Sequence, residues 1–161
     1  MNTVNVYELI LRTPFAEDLD PDQCSDLANR ISTRTLRGDE VLIRQGDIDS
    51  TLYVIAEGIL AVERTAGAGD PVTLHLLKQG DLAGALGFID GTEHTATLRS
   101  VGDSLVLGLT RDDLESYLHE KPAIVYGVMR GIVRSVHRIL GQMNLQCVEL
   151  NNYISKTHGR Y

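Results

Sequence analysis

Short runs of β-forming residues, separated by turns that contain glycine, occupy the chain from Thr33 to Leu109. Apolar residues in these runs recur with a period of two, as in a strand with one buried face. Gly38-Asp39 and Gly46-Asp47 are typical turn signals between the runs. Many short strands at a spacing of about 8–12 residues are typical of a sandwich or barrel. We therefore predict a mainly-β fold, a jelly-roll-like β-roll over about 33–109.

Helix signals flank the predicted strands. Asp20-Pro21 starts one helix, because aspartate is a favoured N-cap and proline is favoured at the first helical position. Thr110 starts another, because its hydroxyl precedes two carboxylates that suit the first turn of a helix. With 161 residues, the chain has the size of one domain. We expect N-terminal helices, the β-roll and a long C-terminal helix over about 122–154 to form a single unit spanning 1–161.

The apolar residues of the last segment step mostly by four and three, close to the period of about 3.5 of a helix–helix seam. A helix of that length, at about 1.5 Å per residue, cannot bury both faces on a small β-roll. We therefore expect a homodimer, and the alternative is a helix that packs only on its own domain. The residues expected at the interface are Val125, Met129, Ile132, Val136, Ile139 and Met143, with Cys147, Leu150 and Ile154 continuing the pattern.

Glycine is concentrated between the strands at Gly80, Gly84 and Gly87, shortly before His94. Glycine allows sharp turns and close approach to a ligand, because it has no Cβ. A short helix that begins there would direct free N–H groups and its positive dipole end at a bound anion. A tight turn between two strands would explain the glycines about as well.

The segment containing these glycines reads GDLAGALGFIDGTEHTA, and RGDEVLIRQGD from Arg37 and LYVIAEG from Leu52 precede it. Together they resemble the cyclic-nucleotide-binding domain shared by catabolite-activator-type regulators, protein kinase A regulatory subunits and nucleotide-gated channels. The resemblance covers roughly Phe15 to Leu150. It implies a β-roll whose last helix closes the nucleotide pocket and forms the dimer seam.

In that family a glutamate holds the ribose hydroxyl and an arginine holds the cyclic phosphate. Ala85 and His94 occupy these two positions here. A neutral imidazole offers one donor and no permanent charge, and a lost charged hydrogen bond costs roughly 1.5–3 kcal/mol. We therefore expect weak or non-standard cyclic nucleotide binding rather than tight cAMP binding. The ligand-binding residues expected in this segment are Gly84, Ala85, Leu86, Gly87, His94, Thr95 and Ala96.

Arginines at Arg130, Arg134 and Arg138 step by four along one face of the last helix. Arg134 and Arg138 are candidates to reach over the pocket and supply the lost positive charge to another anion, such as cyclic di-GMP. The alternative is a solvated face, or salt bridges to the acidic part of the chain.

Several classes of protein have no support in the sequence. The net charge of −7 opposes binding to the nucleic-acid backbone, and the chain ends at Tyr161 with no room for a helix-turn-helix domain, so no DNA partner is expected. No apolar run approaches the ~18 residues of a membrane span, and no signal peptide is visible, so we expect a cytoplasmic protein without a membrane partner. Cys24 and Cys147 form no metal or iron–sulfur motif. No catalytic motif appears, so an enzyme is not expected.

The resemblance and these exclusions predict a non-enzymatic regulatory or sensory module, without cofactor or metal, that signals through a downstream protein partner. One alternative is a ligand-free module kept for dimerisation and docking. Another is a cupin-like β-roll enzyme, for which the histidine and carboxylate ligand set is missing.

Overall fold

The computed structural model describes residues 5–158, which form two β-sheets between short N-terminal helices and a long C-terminal helix. This is the mainly-β architecture predicted from the strand pattern. The last helix covers the predicted segment and continues to His158. The elements in chain order are α1 (Val6–Ile10), α2 (Pro21–Ala28), β1 (Ser32–Leu36), β2 (Val41–Ile43), β3 (Thr51–Glu57), β4 (Leu60–Arg64), β5 (Val72–Leu77), β6 (Leu82–Ala83), α3 (Ala85–Asp90), β7 (Thr97–Ser100), β8 (Ser104–Thr110), α4 (Arg111–Glu115) and α5 (Pro122–His158).

The two sheets have the strand orders β1-β8-β3-β6 and β2-β7-β4-β5, and their strand pairs are antiparallel. Strands far apart in the chain are neighbours, as where Ser32 of β1 is paired with Gly108 of β8. Side chains from both sheets meet between them, which confirms the predicted β-roll. The buried residues of this inner core are Leu36, Leu42, Ile43, Ile55, Leu60, Leu77, Ala83, Leu98 and Val106.

A second core joins the helices to the other face of the first sheet. Successive residues of a strand point to opposite faces, so Leu107 belongs to this cluster while Val106 belongs to the inner core. The buried residues that the helices and the N-terminal segment contribute include Ile10, Phe15, Leu27, Phe88, Leu114, Ile124, Val128 and Ile132.

The predicted helix starts at α2 and α4 are confirmed. Asp20 Oδ1 accepts a hydrogen bond of 2.8 Å from the Gln23 amide, and the Gln23 side chain accepts one of 3.0 Å from the Asp20 amide. This reciprocal capping box satisfies two otherwise orphaned donors. Thr110 Oγ1 likewise accepts from the Asp113 amide at 3.1 Å.

The first half of α5 packs on its own domain. A Cβ at Gly127 would lie 2.5 Å from Leu19 Cδ2, and one at Gly131 would lie 2.8 Å from Phe15 Cδ1, so both glycines permit close approach to the N-terminal segment. Ile132, expected from the sequence at a dimer interface, instead lies in the protomer's own core and is only 1% exposed. Val125, Met129 and Val136 pack against the same core. The stripe expected to meet a partner helix therefore packs on the chain's own core over this part of α5.

Candidate functional site

The glycine-rich segment forms one wall of the candidate site. β6 pairs with β3, and the chain then turns at Gly84, whose φ of 77° places it in the left-handed region. A Cβ at Gly84 would lie 3.1 Å from the Thr51 carbonyl oxygen, so glycine is required there both for backbone conformation and for space. α3 follows at once and ends at Asp90, before Gly91, as expected for a short helix in this segment.

Arg111, at the first position of α4, holds α3 in place. Its Nε donates to the Phe88 carbonyl at 2.6 Å and its Nη2 donates to the Gly87 carbonyl at 2.8 Å. These bonds satisfy carbonyls near the C-terminal end of α3, where a cation is also favourable to the helix dipole. This role of Arg111 was not predicted from the sequence. An arginine in the first turn of α4 was the available signal. A positive charge at the N-terminus of a helix is unfavourable to the helix dipole, so it indicates that the side chain has a compensating interaction elsewhere.

His94 is held by its backbone and buried by its neighbours. Its amide donates to the Asp47 carbonyl at 2.9 Å, and its carbonyl accepts from the Gly46 amide at 2.8 Å. The residue is 9% exposed, and its ring lies against Gly87, where an added Cβ would be 2.6 Å from Cε1. Within residues 5–158, the Nε2 atom of His94 is buried without a hydrogen-bond partner. A buried polar atom left in that state costs about 1–3 kcal/mol.

A cavity of about 690 Å³ lies between this segment, the β-roll and α5. Its volume is in the range of about 300–1,000 Å³ that is usual for small-molecule sites. All the ligand-binding residues predicted in the glycine-rich segment line it, from Gly84 to Gly87 and from His94 to Ala96. The β-roll and the loop before His94 contribute Ile43, Val62, Leu74, His75, Leu77, Leu82, Ala83, Thr92, Glu93 and Leu98.

Helix α5 closes one side of the cavity. Its lining residues are Val136, Ile139, Leu140, Gln142, Met143 and Gln146. Val136, Ile139 and Met143, which the sequence pattern placed at the dimer interface, thus line the cavity within one protomer. The resemblance implied that the last helix closes the pocket, whereas the lining strands of the β-roll were not predicted, because nothing local in the sequence shows which strands surround a cavity.

The cavity lining is mainly apolar and carries little formal charge. Among the described residues that line it there is no lysine or arginine, and Glu93 is the one carboxylate. The polar groups that remain are the imidazoles of His75 and His94, threonines and glutamines. The wall has the residues to bury an apolar molecule and to orient it through a few hydrogen bonds.

Arg134 and Arg138 do not line this cavity. Arg134 forms a close ion pair with Asp18 and a second with Glu17 at 3.5 Å, while Arg138 Nη2 donates to Asp81 Oδ1 at 2.9 Å. The hydrogen bond from Arg134 holds the pKa of Asp18 below its usual value, with a further contribution from Arg130. The structure therefore shows the salt-bridge alternative for this arginine row, because its helix face is turned towards acidic groups of the N-terminal segment and the loop before β6.

The two cysteines and the possible metal and membrane sites lie apart from this cavity or have no structural support in the described residues. Cys24 is buried and Cys147 is exposed, and both are free thiols. In the described part of the chain, no three His, Cys, Asp or Glu side chains are grouped so as to hold a metal ion. Between residues 5 and 158, no helix has both the length and the apolar character needed to cross a bilayer.

A β-roll in which a glycine-led short helix and the last helix border a cavity is the fold of cyclic nucleotide-binding regulatory domains. The model of the family described as "Cyclic nucleotide-binding domain" matches residues 33–121, more than half of the chain. The chain belongs to this cyclic nucleotide-binding domain family, as the resemblance indicated.

The similar proteins include a cyclic AMP receptor protein, a cyclic nucleotide-binding domain and a kinase regulatory subunit. The chain is 25% identical to the Cyclic AMP receptor protein of Thermus thermophilus over 137 residues, which cover 85% of this chain but 63% of that protein. It superposes on a cyclic nucleotide-binding domain from Methylobacillus flagellatus with a TM-score of 0.83 at 18% identity, covering 89% of this chain and 83% of the other. The regulatory subunit of a cAMP-independent protein kinase A from Trypanosoma brucei gives a TM-score of 0.69 at 22% identity, covering 88% and 50%.

Proposed function

We propose that this chain is a non-enzymatic regulatory domain that senses a small ligand in the cavity beneath α5, does not bind cAMP tightly and passes its signal to a partner protein. The observation that carries the proposal is the cavity itself. Its wall contains Ala85 and His94, which the resemblance assigns to the two positions where the family holds the ribose and the cyclic phosphate. A cavity is therefore present at this segment, but without a glutamate or an arginine at those two positions.

Electrostatics oppose cAMP in this cavity. The cyclic phosphate carries a permanent negative charge, and burying a charge is costly unless a counter-charge or several hydrogen bonds replace the lost water. The described lining residues offer no lysine or arginine, while Glu93 would repel the phosphate. The Trypanosoma brucei relative, from a cAMP-independent kinase, provides a parallel for the same fold used without cAMP.

The second half of α5 supports dimerisation through a stripe that shares Val136, Met143, Cys147 and Leu150 with the expected interface. Every residue from Gly141 to Lys156 is exposed in the protomer. Apolar residues continue along one stripe of this helix at alternating steps of three and four, which is the heptad spacing of a two-stranded coiled coil. We call this stripe the heptad face, and its members are Val133, Val136, Leu140, Met143, Cys147 and Leu150. A second copy of this chain is the proposed partner in the dimer, because pairing of two heptad faces would bury both of them.

The cavity and the heptad face share side chains. Val136, Leu140 and Met143 belong to both, so a ligand that contacts them also acts on the residues that meet the partner helix. A ligand shifts a conformational equilibrium only through its different affinity for the two states. Shared side chains supply that difference, and this is how binding would change the surface presented to the downstream protein.

Calorimetric titration with cAMP, cGMP and cyclic di-GMP tests the proposal. We expect no micromolar cAMP binding to the wild-type protein. The double variant Ala85→Glu/His94→Arg restores both charged groups, and we expect it to bind cAMP at least ~100-fold more tightly than wild type.

The control variant Ala85→Gln/His94→Gln places polar side chains at the same positions without charges, and it should not gain this affinity. Micromolar cAMP binding by the wild type would contradict the proposal. Equal cAMP affinity of the charged variant and the wild type would show that these residues do not occupy the two contact positions.

A further inference from the structure

The cavity wall favours an uncharged occupant. Side chains from three sources, the β-roll, the glycine-rich segment and α5, present aliphatic groups to the same space, among them Val62, Leu98 and Ile139. An apolar molecule that leaves water for such a wall gains free energy roughly in proportion to the apolar area buried. An ionic group on the molecule would gain no counter-charge from lysine or arginine among the described lining residues.

One polar atom in the wall lacks a partner. Nε2 of His94 is buried and has no hydrogen-bond partner within the described residues, although most buried polar side-chain atoms in proteins have one. The amide and carbonyl of the same residue are both paired with the turn at Gly46 and Asp47, so its backbone is held while the ring alone is unsatisfied. Because His94 lines the cavity, a molecule inside it is the available source of the missing hydrogen bond.

We infer that this cavity binds an uncharged, largely apolar molecule carrying one hydroxyl group, which forms a hydrogen bond with Nε2 of His94. The inference rests on the proposed ligand-sensing function and names the class of ligand. A hydroxyl both donates and accepts, so it complements Nε2 whichever nitrogen of the neutral ring carries the proton. The remaining surface of the molecule is covered by the aliphatic wall.

Binding also involves a movement of the imidazole. The ring now lies against Gly87 of α3, and its Nε2 atom has almost no accessible surface. To meet a hydroxyl in the cavity, the ring turns away from Gly87 about its side-chain torsions. This changes the packing between His94 and α3 at Gly87, the residue whose carbonyl Arg111 also holds.

The test compares two probes that differ only in the hydroxyl group, 2-naphthol and naphthalene. The chain has no tryptophan, so the fluorescence of the probes can be followed directly in a titration at neutral pH. We expect the wild-type protein to bind 2-naphthol about tenfold more tightly than naphthalene, since one hydrogen bond separates the two complexes.

Two matched variants assign that preference to one imidazole. His94→Phe keeps a ring of similar shape but removes Nε2, and we expect it to bind both probes with equal affinity. His75→Phe makes the same substitution at the other histidine of the cavity wall, and it should retain the tenfold preference for 2-naphthol. Circular dichroism and thermal melting establish that both variants are folded before titration.

The outcomes separate this inference from the function on which it rests. No binding of either probe to folded wild-type protein would overturn the inference, and so would a hydroxyl preference that survives in His94→Phe. Binding of cyclic di-GMP without binding of 2-naphthol would overturn the ligand class while leaving the proposed ligand-sensing function intact. Amide shifts at Gly87 on addition of 2-naphthol, seen by NMR in wild type and absent in His94→Phe, would support the movement of the ring.

Discussion

The guanidinium of Arg111 donates a hydrogen bond of 2.8 Å to the carbonyl of Gly87, the residue on which the ring of His94 rests. A second bond of 2.6 Å from the same guanidinium reaches the carbonyl of Phe88. The short helix at the cavity is thus fixed on one side by α4, and its other side packs on a partly unsatisfied imidazole.

Arg111→Ala should loosen α3. Two carbonyl groups lose a charged donor, and hydrogen bonds to charged groups contribute about 1.5–3 kcal/mol each when buried, less at this half-buried site. We expect the free energy of unfolding, measured by urea denaturation, to fall by about 1–2 kcal/mol. Arg111→Lys keeps the charge but cannot donate two hydrogen bonds in the same geometry. Its free energy of unfolding should therefore lie between those of wild type and Arg111→Ala. An unfolding free energy for Arg111→Ala equal to that of wild type would show that these hydrogen bonds do not hold α3.

The ion pair between Arg134 and Asp18 should make stability depend on pH. Because the hydrogen bond from Arg134 lowers the pKa of Asp18 in the folded protein, its contribution is complete above the unfolded pKa and is lost as pH falls through the folded pKa. Wild-type stability should therefore decline as pH falls from about 5 to below the ordinary value of 3.8. Asp18→Asn should be less stable at pH 7 and show a shallower decline, measured by urea denaturation across this range.

A matched control for Asp18→Asn is Glu57→Gln, which removes an exposed carboxylate at the end of β3. We expect it to leave the pH dependence unchanged. The decline in Asp18→Asn should be reduced rather than abolished, because a hydrogen bond from Arg34 also lowers the pKa of Glu40. An identical pH slope in wild type and Asp18→Asn would contradict the assigned role of this pair.

Dimerisation through the heptad face should be broken at Leu150 and not at Leu145. The two leucines are on the same helix and almost equally exposed, at 60% and 61%, but only Leu150 belongs to the heptad face. Neither lines the cavity. Leu150→Asp buries a charge in the proposed seam and should give monomers by light scattering, whereas Leu145→Asp should remain dimeric. The proposed seam would be refuted if both variants stayed dimeric or both became monomeric.

Cys147 provides a cross-link across the proposed seam without any substitution. In a parallel two-stranded coiled coil, equivalent core positions of the two helices face each other, within reach of a disulfide or a short bifunctional reagent. Mild oxidation should therefore produce a covalent dimer on non-reducing gels. The product should disappear in Cys147→Ser and persist in Cys24→Ser, because Cys24 is buried in its own domain. A protein that stays monomeric on the gel after oxidation would argue against parallel pairing at this position.

Local features could be predicted from the sequence because their causes are local. A capping aspartate followed by proline starts a helix wherever it occurs, and the strand period of two follows from the pleat of the backbone. Strand β5, Val72–Leu77, lies within the region where short strands were predicted. The two-residue strand β6 was missed, since Leu82–Ala83 is too short to show any period.

The residues of the glycine-rich segment were also predictable as one wall of a site, because they are nearly contiguous in the chain. The character of the cavity was not predictable. Its apolar wall depends on strands of the β-roll and on three turns of α5 that only folding brings together. The burial of His94 and the partnerless state of its Nε2 likewise depend on contact with Gly87 and the turn at Gly46.

The sequence by itself determined the β-roll, the helix starts and a long last helix with an apolar pattern, because periodicity and capping act over a few residues. Only the tertiary structure decided which side of that helix meets its own domain. Ile132 became core and Leu150 remained exposed, although both are part of the same run of threes and fours. Arg134 pairs with Asp18, 116 positions away in the chain, and does not line the cavity. Contacts between residues so distant in the chain depend on the packing of the whole domain, so no local sequence pattern predicts them.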